Sequence, residues 1–137
     1  MGLYLAIFDG MDELEGVEIG RYADFDYLRD LTTALLEDGE EGSRFPTFIN
    51  HSDCDGEWTP EEAAILEVEL RTMAEEFKSL PPRSFNSAWK EGVAKEFGIR
   101  PTNLYDCVFD VDGEPLIGRL IGLARISQDR KLPILFQ

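Results

Sequence analysis

The residue types best suited to chemistry lie together between Asn50 and Glu62. This stretch holds the only histidine of the chain, His51, one of its two cysteines, Cys54, and one of its two tryptophans, Trp58. Five carboxylates accompany them. Imidazole, thiolate and carboxylate groups are the ligands of zinc and calcium sites. The stretch therefore indicates either a metal or catalytic site, or a loop leading into a helix, in which case the function lies in the protein surface.

An Asp-x-Asp-Gly-Glu pattern occurs at 53–57 and again at 110–114, and a calcium loop gathers its oxygen ligands in a similar way. In the first copy, His51 falls at the first ligand position, and histidine is a poor partner for a hard cation. In the second copy, Val108 and Arg119 fall at the first and last ligand positions, which rules out calcium there. Tight turns ahead of helices are the favoured explanation of both copies.

Zinc is the second possibility, because His51 and Cys54 are three residues apart. A structural zinc site takes four nitrogen or sulfur ligands, and Cys107 is the only other soft ligand in the chain. A small metal-binding module or metal-dependent hydrolase using His51, Cys54, Asp53 and Asp55 therefore stays open as an alternative. We expect instead that His51 bonds within the loop, that both cysteines pack as small apolar groups, and that no cofactor is needed.

Nucleophilic catalysis has little support in the sequence. His51 and Cys54 are too close along the chain for the usual base and nucleophile, which come from separate elements. Cys107 lies in an apolar segment, where burial raises the pKa of a thiol. The chain has no glycine-rich phosphate loop and no G-x-S-x-G elbow. We therefore expect a protein that is not an enzyme.

Charge is distributed unevenly along the chain. Residues 1–77 carry 21 Asp and Glu against four Arg, residues 78–137 carry seven acids and nine bases, and the net charge is −15. Binding to nucleic acid or to an anionic membrane depends on Lys and Arg, so neither is an expected partner. An acidic surface suits a basic protein partner, because complementary potentials speed encounter, although plain solubility explains the charge equally well.

We expect a chain that is neither inserted in a membrane nor exported from the cell. No apolar run approaches the roughly 20 residues that span a bilayer, and the N-terminus lacks a basic start and a cleavage site. Two cysteines are too few for a disulfide framework and are typical of reduced thiols. The expected location is the cytoplasm.

Apolar periodicity predicts the elements that position these residues. We expect a first strand buried on both faces at 3–8, short strands at 45–49, 105–109 and 132–136, and an edge strand near Val17 and Ile19. Helices are expected at about 22–37, 60–77, from 84 or 86 to 97, and 115–128. The glutamates of the second helix are expected to be mostly turned to solvent: Glu61, Glu67, Glu69, Glu75 and Glu76. The expected fold is α+β, a single-domain layered sandwich of a small mixed sheet with about four helices over residues 1–137.

Six blocks of sequence, spread over essentially the whole chain, carry a resemblance to a known family. The most specific is Asn-His-Ser-Asp-Cys-Asp-Gly-Glu-Trp at 50–58, and the others lie at 1–5, 85–89, 103–107, 110–116 and 132–137. Together they resemble the immunity protein 70 family of bacterial polymorphic toxin systems. The resemblance implies a non-enzymatic antidote that binds a cognate toxin domain and covers or distorts its active site.

The resemblance supplies no binding residues, so we infer the contact surface from the residues themselves. An aromatic anchor inside an acidic rim is the composition of an interaction hot spot, although a role as a lid on the core is the commoner one for a residue such as Trp58. The partner is expected to be a toxin with a basic surface, while a scaffold with another partner would need the same kind of surface. The expected contact residues are Asp53, Asp55, Glu57 and Trp58, with Asp12, Glu13, Glu15 and Glu18 as a flanking acidic rim.

Overall fold

The strands form one four-stranded sheet in a computed structural model that describes residues 2–52 and 55–137. Their order across the sheet is β2-β1-β4-β3, and each neighbouring pair is antiparallel, not mixed as expected. The two-residue connection at Gly10 and Met11 accounts for the first pair, because only antiparallel strands can be joined so tightly. The strands are β1 (Leu3–Asp9), β2 (Asp12–Gly20), β3 (Glu57–Trp58) and β4 (Ile134–Phe136).

Helices make up most of the remaining described structure, and the expected α+β class is confirmed. Among the helices of residues 2–52 and 55–137, none is both long and apolar enough to cross a membrane. The helices are α1 (Tyr22–Leu36), α2 (Pro46–Ile49), α3 (Pro60–Lys78), α4 (Ala88–Phe97) and α5 (Leu116–Arg130), with a 3-10 turn at Tyr105–Cys107.

Helix α3 begins where the local sequence predicts. The Glu62 amide donates to the Thr59 hydroxyl at 3.1 Å, the Thr59 amide donates to the Glu62 carboxylate at 3.0 Å, and Pro60 occupies the first turn. This reciprocal capping satisfies amides that a helix start leaves without partners. The apolar stripe of the helix is buried in the core, as expected: Ala63, Leu66, Leu70, Met73 and Phe77.

The expected strand at 45–49 is wrong, because Pro46–Ile49 is the short helix α2. Pro46 suits a first helical position, and the Glu69 carboxylate of α3 accepts hydrogen bonds from the Thr47 and Phe48 amides at 3.2 and 3.0 Å. Glu69 is therefore only 7% exposed, and its expected orientation toward solvent is also wrong.

Glu67 is buried for a similar reason. Its carboxylate accepts hydrogen bonds from Arg71 at 2.7 Å and from Gln128 of α5 at 2.8 Å. A buried carboxylate is tolerated when it is paired and hydrogen-bonded. Glu67 thus joins α3 to α5, and its expected exposure to solvent is wrong.

The expected strand at 105–109 is wrong as well, because Tyr105–Cys107 forms a 3-10 turn. The Asp106 amide donates to the Asn103 side chain at 2.9 Å, and the Asp106 carboxylate accepts from the Thr102 amide at 3.1 Å. Such local side-chain bonds compete with strand pairing. Burial raises the pKa of the Cys107 thiol, as expected, despite the different backbone conformation.

The two faces of the sheet have different environments. On one face Leu3, Leu5 and Ile7 are fully buried and share a hydrophobic core with the helices. On the other face, Tyr4, Phe8 and Leu135 are only half-buried and lie outside that core. Ala6 lies between Tyr4 and Phe8 on this second face and is fully buried, so the expectation of burial on both faces of β1 holds for the first face and only for Ala6 on the second. We call the surface formed by Tyr4, Phe8 and Leu135 the open face.

Candidate functional site

His51 connects the segment after α2 to the start of β3. Its ring stacks on Phe136 with centroids 4.3 Å apart, and lies 5.0 Å from the Trp58 ring. Nδ1 lies 2.8 Å from the Ser52 carbonyl oxygen, and Nε2 lies 2.8 Å from the Glu57 carbonyl oxygen. A carbonyl oxygen only accepts, so both contacts are hydrogen bonds together only when both ring nitrogens carry protons. His51 therefore ties the start of the loop to its end.

The same contacts bear on the metal-site alternative. A histidine ligand offers the lone pair of an unprotonated ring nitrogen, yet both nitrogens of His51 face carbonyl oxygens. Asp55 is exposed, and Asp53 and Cys54 lie outside the described residues. In the part of the chain that the structure describes, no group of three His, Cys, Asp or Glu residues is placed to hold a metal ion. The geometry of His51 is that of a structural residue.

Trp58 is a core residue and not the exposed anchor considered from the sequence. Its side chain is 1% exposed, and its indole N–H donates to the Thr47 carbonyl at 3.1 Å. Its ring packs edge-on against Phe136 with centroids 4.8 Å apart. The correction follows from size, since burying an indole stabilises the fold more than exposing it to solvent. Trp58 supports the neighbouring Glu57, which is exposed.

The acidic rim expected to flank the loop lies instead at the opposite edge of the sheet. Strand β3, with Glu57, is one edge, and β2 is the other. Three interstrand spacings, about 14 Å in all, separate these edges. The acidic edge on β2 consists of Asp12, Glu13, Glu15 and Glu18.

The strand register decides which of these carboxylates share a face. Gly16, Ala6, Leu135 and Glu57 are partners in one row across all four strands. Directly opposed residues of antiparallel strands point to the same side of the sheet. Glu57 therefore points to the side of the open face.

Two carboxylates of β2 point to that same side. Glu13 is the partner of Phe8, and Glu18 is the partner of Tyr4. Glu15 is different, because a register shift between Ile7 and Phe8 makes it the partner of Ile7, whose side chain is in the core. The open face thus has Glu13 and Glu18 along one edge and Glu57 along the other.

The Tyr4 ring lies flat on the open face. Its hydroxyl donates to the Glu13 carboxylate at 2.9 Å, and a Cβ atom at Gly16 would lie only 1.9 Å from that hydroxyl. Gly16 therefore leaves the space that the ring occupies. Burial raises the pKa of the Tyr4 phenol, and the hydrogen bond to Glu13 and the charges of Glu13, Glu15 and Glu18 raise it further. Sequence reasoning missed Tyr4, because its strand was expected to be buried on both faces.

Comparison with protein families gives a match over nearly the whole chain. The model of the family described as immunity protein 70 matches residues 3–136. The chain belongs to the immunity protein 70 family. The resemblance noted in the sequence is thereby confirmed, and membership implies a toxin partner and suggests a non-enzymatic role. Comparison with curated proteins gave no match, and neither did comparison with solved structures.

In this immunity protein, the outer edge of β2 is partly capped by the segment 110–119. The Arg119 guanidinium donates to the Gly16 carbonyl at 2.9 Å, and the Val111 amide donates to the Glu18 carbonyl at 3.2 Å. Capping of this kind blunts the tendency of an edge strand to pair with another chain. The Gly16 and Glu18 carbonyls at this edge are therefore not free to pair with another strand.

Asp110 holds that capping segment in place. Its fully buried carboxylate accepts from the Asp112 amide at 2.9 Å and the Glu114 amide at 3.0 Å. Its other oxygen lies 3.4 Å from Arg119 Nε, without the alignment of a hydrogen bond. Burial raises the pKa of Asp110, although the two amides and Arg119 oppose that rise.

Glu37 is a second buried carboxylate, at the C-terminal end of α1. Its carboxylate is 2% exposed and accepts from the amides of Gly42, Arg44 and Phe45 at 3.0–3.1 Å, fixing the segment that leads into α2. Burial alone would raise the pKa of Glu37, but these amides and the Thr33 hydroxyl outweigh burial and hold the pKa below its ordinary value. The immunity protein thus contains two buried carboxylates whose pKa values shift in opposite directions, Asp110 beside β2 and Glu37 before α2.

Proposed function

We propose that this immunity protein binds and neutralises a cognate toxin domain of a polymorphic toxin system in the cytoplasm, through its acidic surface and without catalysis of its own. The observation that supports the acidic surface most directly is the shared direction of Glu13, Glu18 and Glu57, which point to one side of the sheet from opposite edges. The net charge of −15 adds a long-range field of the same sign.

The chemistry of inhibition follows from complementary charge. A toxin that acts on a polyanion presents Lys and Arg in its substrate cleft, and carboxylates placed at that cleft exclude the substrate by occupying the same cations. Opposite potentials also speed the encounter, which matters for an antidote that must act before the toxin does. The exposed residues Asp12 and Asp55 extend the two acidic edges.

The test is a charge-neutralised variant with a matched control. The test variant carries Asp53→Asn, Asp55→Asn and Glu57→Gln, and the control carries Glu75→Gln, Glu91→Gln and Glu96→Gln at exposed helical positions. Both change the formal charge by the same amount. The measurements are survival of cells that express the toxin domain, and association rates over a range of salt concentrations.

The test variant should associate about tenfold more slowly and show a flatter salt dependence, while the control should stay within about twofold of wild type. Equal rates for the two variants would remove the loop edge from the binding surface. Wild-type protein that neither binds nor protects would overturn the proposed function itself.

A further inference from the structure

The open face is apolar where an antiparallel sheet would ordinarily be polar. A sheet covered on one side normally alternates apolar residues inward with polar residues outward. Here Tyr4, Phe8 and Leu135 stand at outward positions around the small, buried Ala6, and the three larger side chains are half-buried without joining the core. An apolar patch with a polar rim is typical of a surface that another molecule covers.

The rim of that patch is negatively charged on both sides. Glu13 and Glu18 lie along the β2 edge, and Glu57 lies along the β3 edge, about 14 Å away across the sheet. Three cations beside the sheet have other partners: Arg119 lies near Asp110 and Gly16, Arg130 pairs with Asp9 at 3.1 Å, and Arg21 pairs with Asp24 at 3.3 Å. Within residues 2–52 and 55–137, the ion pairs do not include Glu13, Glu18 or Glu57, so the charge of this rim is left for an external cation.

Docking through the face is favoured over strand addition at an edge. Along β2 the Gly16 and Glu18 carbonyls already accept hydrogen bonds from Arg119 and Val111. The opposite edge strand, β3, is only two residues long, and added strands depend on a run of main-chain hydrogen bonds. An occupant must then bind side chains of the face and not the backbone of an edge.

A second copy of this chain is a poor occupant. Both edges of the open face are acidic, so any face-to-face pairing of two copies would bring acidic edges together. Opposed like charges are destabilising, and each copy carries a net charge of −15. A basic partner is attracted electrostatically to the same acidic rim.

We propose that the open face is the surface on which the toxin domain docks, with an apolar or aromatic group of the toxin over Tyr4, Phe8 and Leu135 and its Lys or Arg side chains against Glu13, Glu18 and Glu57. The proposal rests on the proposed function and adds the surface and the chemistry of the partner. Strands β3 and β4 are only two and three residues long, so Tyr4, Phe8 and Leu135 supply the apolar centre of a larger interface and not the whole of it.

The test replaces apolar side chains by lysine on two sides of the molecule. The open-face variants are Phe8→Lys and Leu135→Lys, and the controls are Ile65→Lys and Val68→Lys on α3, where the side chains are 55% and 66% exposed. Each variant exchanges one apolar residue for one positive charge. The probe is the purified toxin domain against which the wild-type chain protects cells, in a catalytically inactive form, and dissociation constants are measured by calorimetry.

Each open-face variant should bind at least about 30-fold more weakly, the loss expected at a hot spot, and each control should change by less than about threefold. A Glu13→Lys, Glu57→Lys variant should lose binding similarly. Both glutamates are exposed, so this variant decides the matter if thermal unfolding shows that either apolar replacement damages the fold.

Three results would overturn the proposal. Full binding by the open-face variants, together with loss in the α3 controls, would place the toxin on the helical side and leave the proposed function intact. Light scattering that shows a wild-type dimer, dissociated by Phe8→Lys, would assign the face to a second copy. Failure of the wild-type chain both to bind and to protect would remove the proposed function and the docking surface together.

Discussion

The two acidic edges of the sheet hold their charge by different means. On β2, register within a long hairpin sets the direction of each carboxylate, and the edge is capped by Arg119 and Val111. On β3, a two-residue strand carries Glu57. The Glu57 carbonyl oxygen lies 2.8 Å from His51 Nε2, and the neighbouring Trp58 is buried and packs against the His51 ring. The β2 edge therefore depends on backbone pairing and the β3 edge on side-chain packing, so different substitutions should disturb the two edges.

The largest effect should come from removing the packing beneath the loop edge. Trp58→Ala deletes a buried indole and its hydrogen bond to Thr47, and it should lower the free energy of unfolding by about 3–5 kcal/mol. Urea unfolding measures the loss. Tyr4→Ala is the matched control on the open face, where a half-buried ring should cost about 1 kcal/mol. Equal losses would mean that the two faces of the sheet are equally covered.

Lowering the pH should affect the two buried carboxylates, Glu37 and Asp110, in opposite ways. The folded-state pKa of Glu37 lies below its ordinary value, so the support it gives is complete at neutral pH and is lost as the pH falls through that folded-state pKa. Glu37→Gln should cost about 2–3 kcal/mol at pH 7, because three buried amides lose a charged acceptor. It should also flatten the fall in stability below about pH 5, as followed by unfolding at successive pH values.

Asp110 should change the stability of the fold with pH in the direction opposite to Glu37. Burial raises its folded-state pKa, so the folded state binds the proton more tightly, and this group adds stability as the pH falls through its folded-state pKa. Asp110→Asn should abolish that acid-side gain and leave the loss due to Glu37 in place. A steeper acid-side gain in Asp110→Asn than in wild type would show that Arg119, and not burial, controls this carboxylate.

The smallest effect should come from the hairpin edge. In Gly16→Ala the new Cβ atom would overlap the Tyr4 hydroxyl, and the flexible ring can swing away at a cost of about 1–2 kcal/mol. The hydrogen bond from Tyr4 to Glu13 should be lost with it. The Cβ atom would also lie only 2.3 Å from Tyr4 Cζ, so a double-mutant cycle with Tyr4→Ala measures the coupling, and strict additivity of the two changes would show that the ring does not lie over Gly16.

Sequence reasoning located elements whose signals are local. The start of α3 was predictable because Thr59, Pro60 and Glu62 act within one turn. The segment 45–49 was not, because the group that caps α2 is Glu69, more than twenty residues further along the chain. A short apolar run does not distinguish a strand from a helix, so such a distant contact decides the outcome.

The candidate site was predictable in composition but not in arrangement. The acidic character of Asp12–Glu18 and of the loop around Glu57 could be seen in the sequence. Their placement on opposite edges depends on β4 lying between β1 and β3, and no local pattern encodes that pairing. The burial of Trp58 depends in the same way on Phe136, which reaches it from the far end of the sequence.

The pairing of Leu5 with Phe136 has a consequence for the kinetics of folding. The β1–β2 hairpin joins neighbouring residues and can form within microseconds, whereas the centre of the sheet closes a loop of nearly the whole chain, and contacts of such long range slow folding toward milliseconds or seconds. The two acidic edges come to flank one surface only at that late step. A newly made molecule therefore acquires the proposed docking surface when Ile134–Phe136 pairs, and we expect protection to begin no earlier than that step.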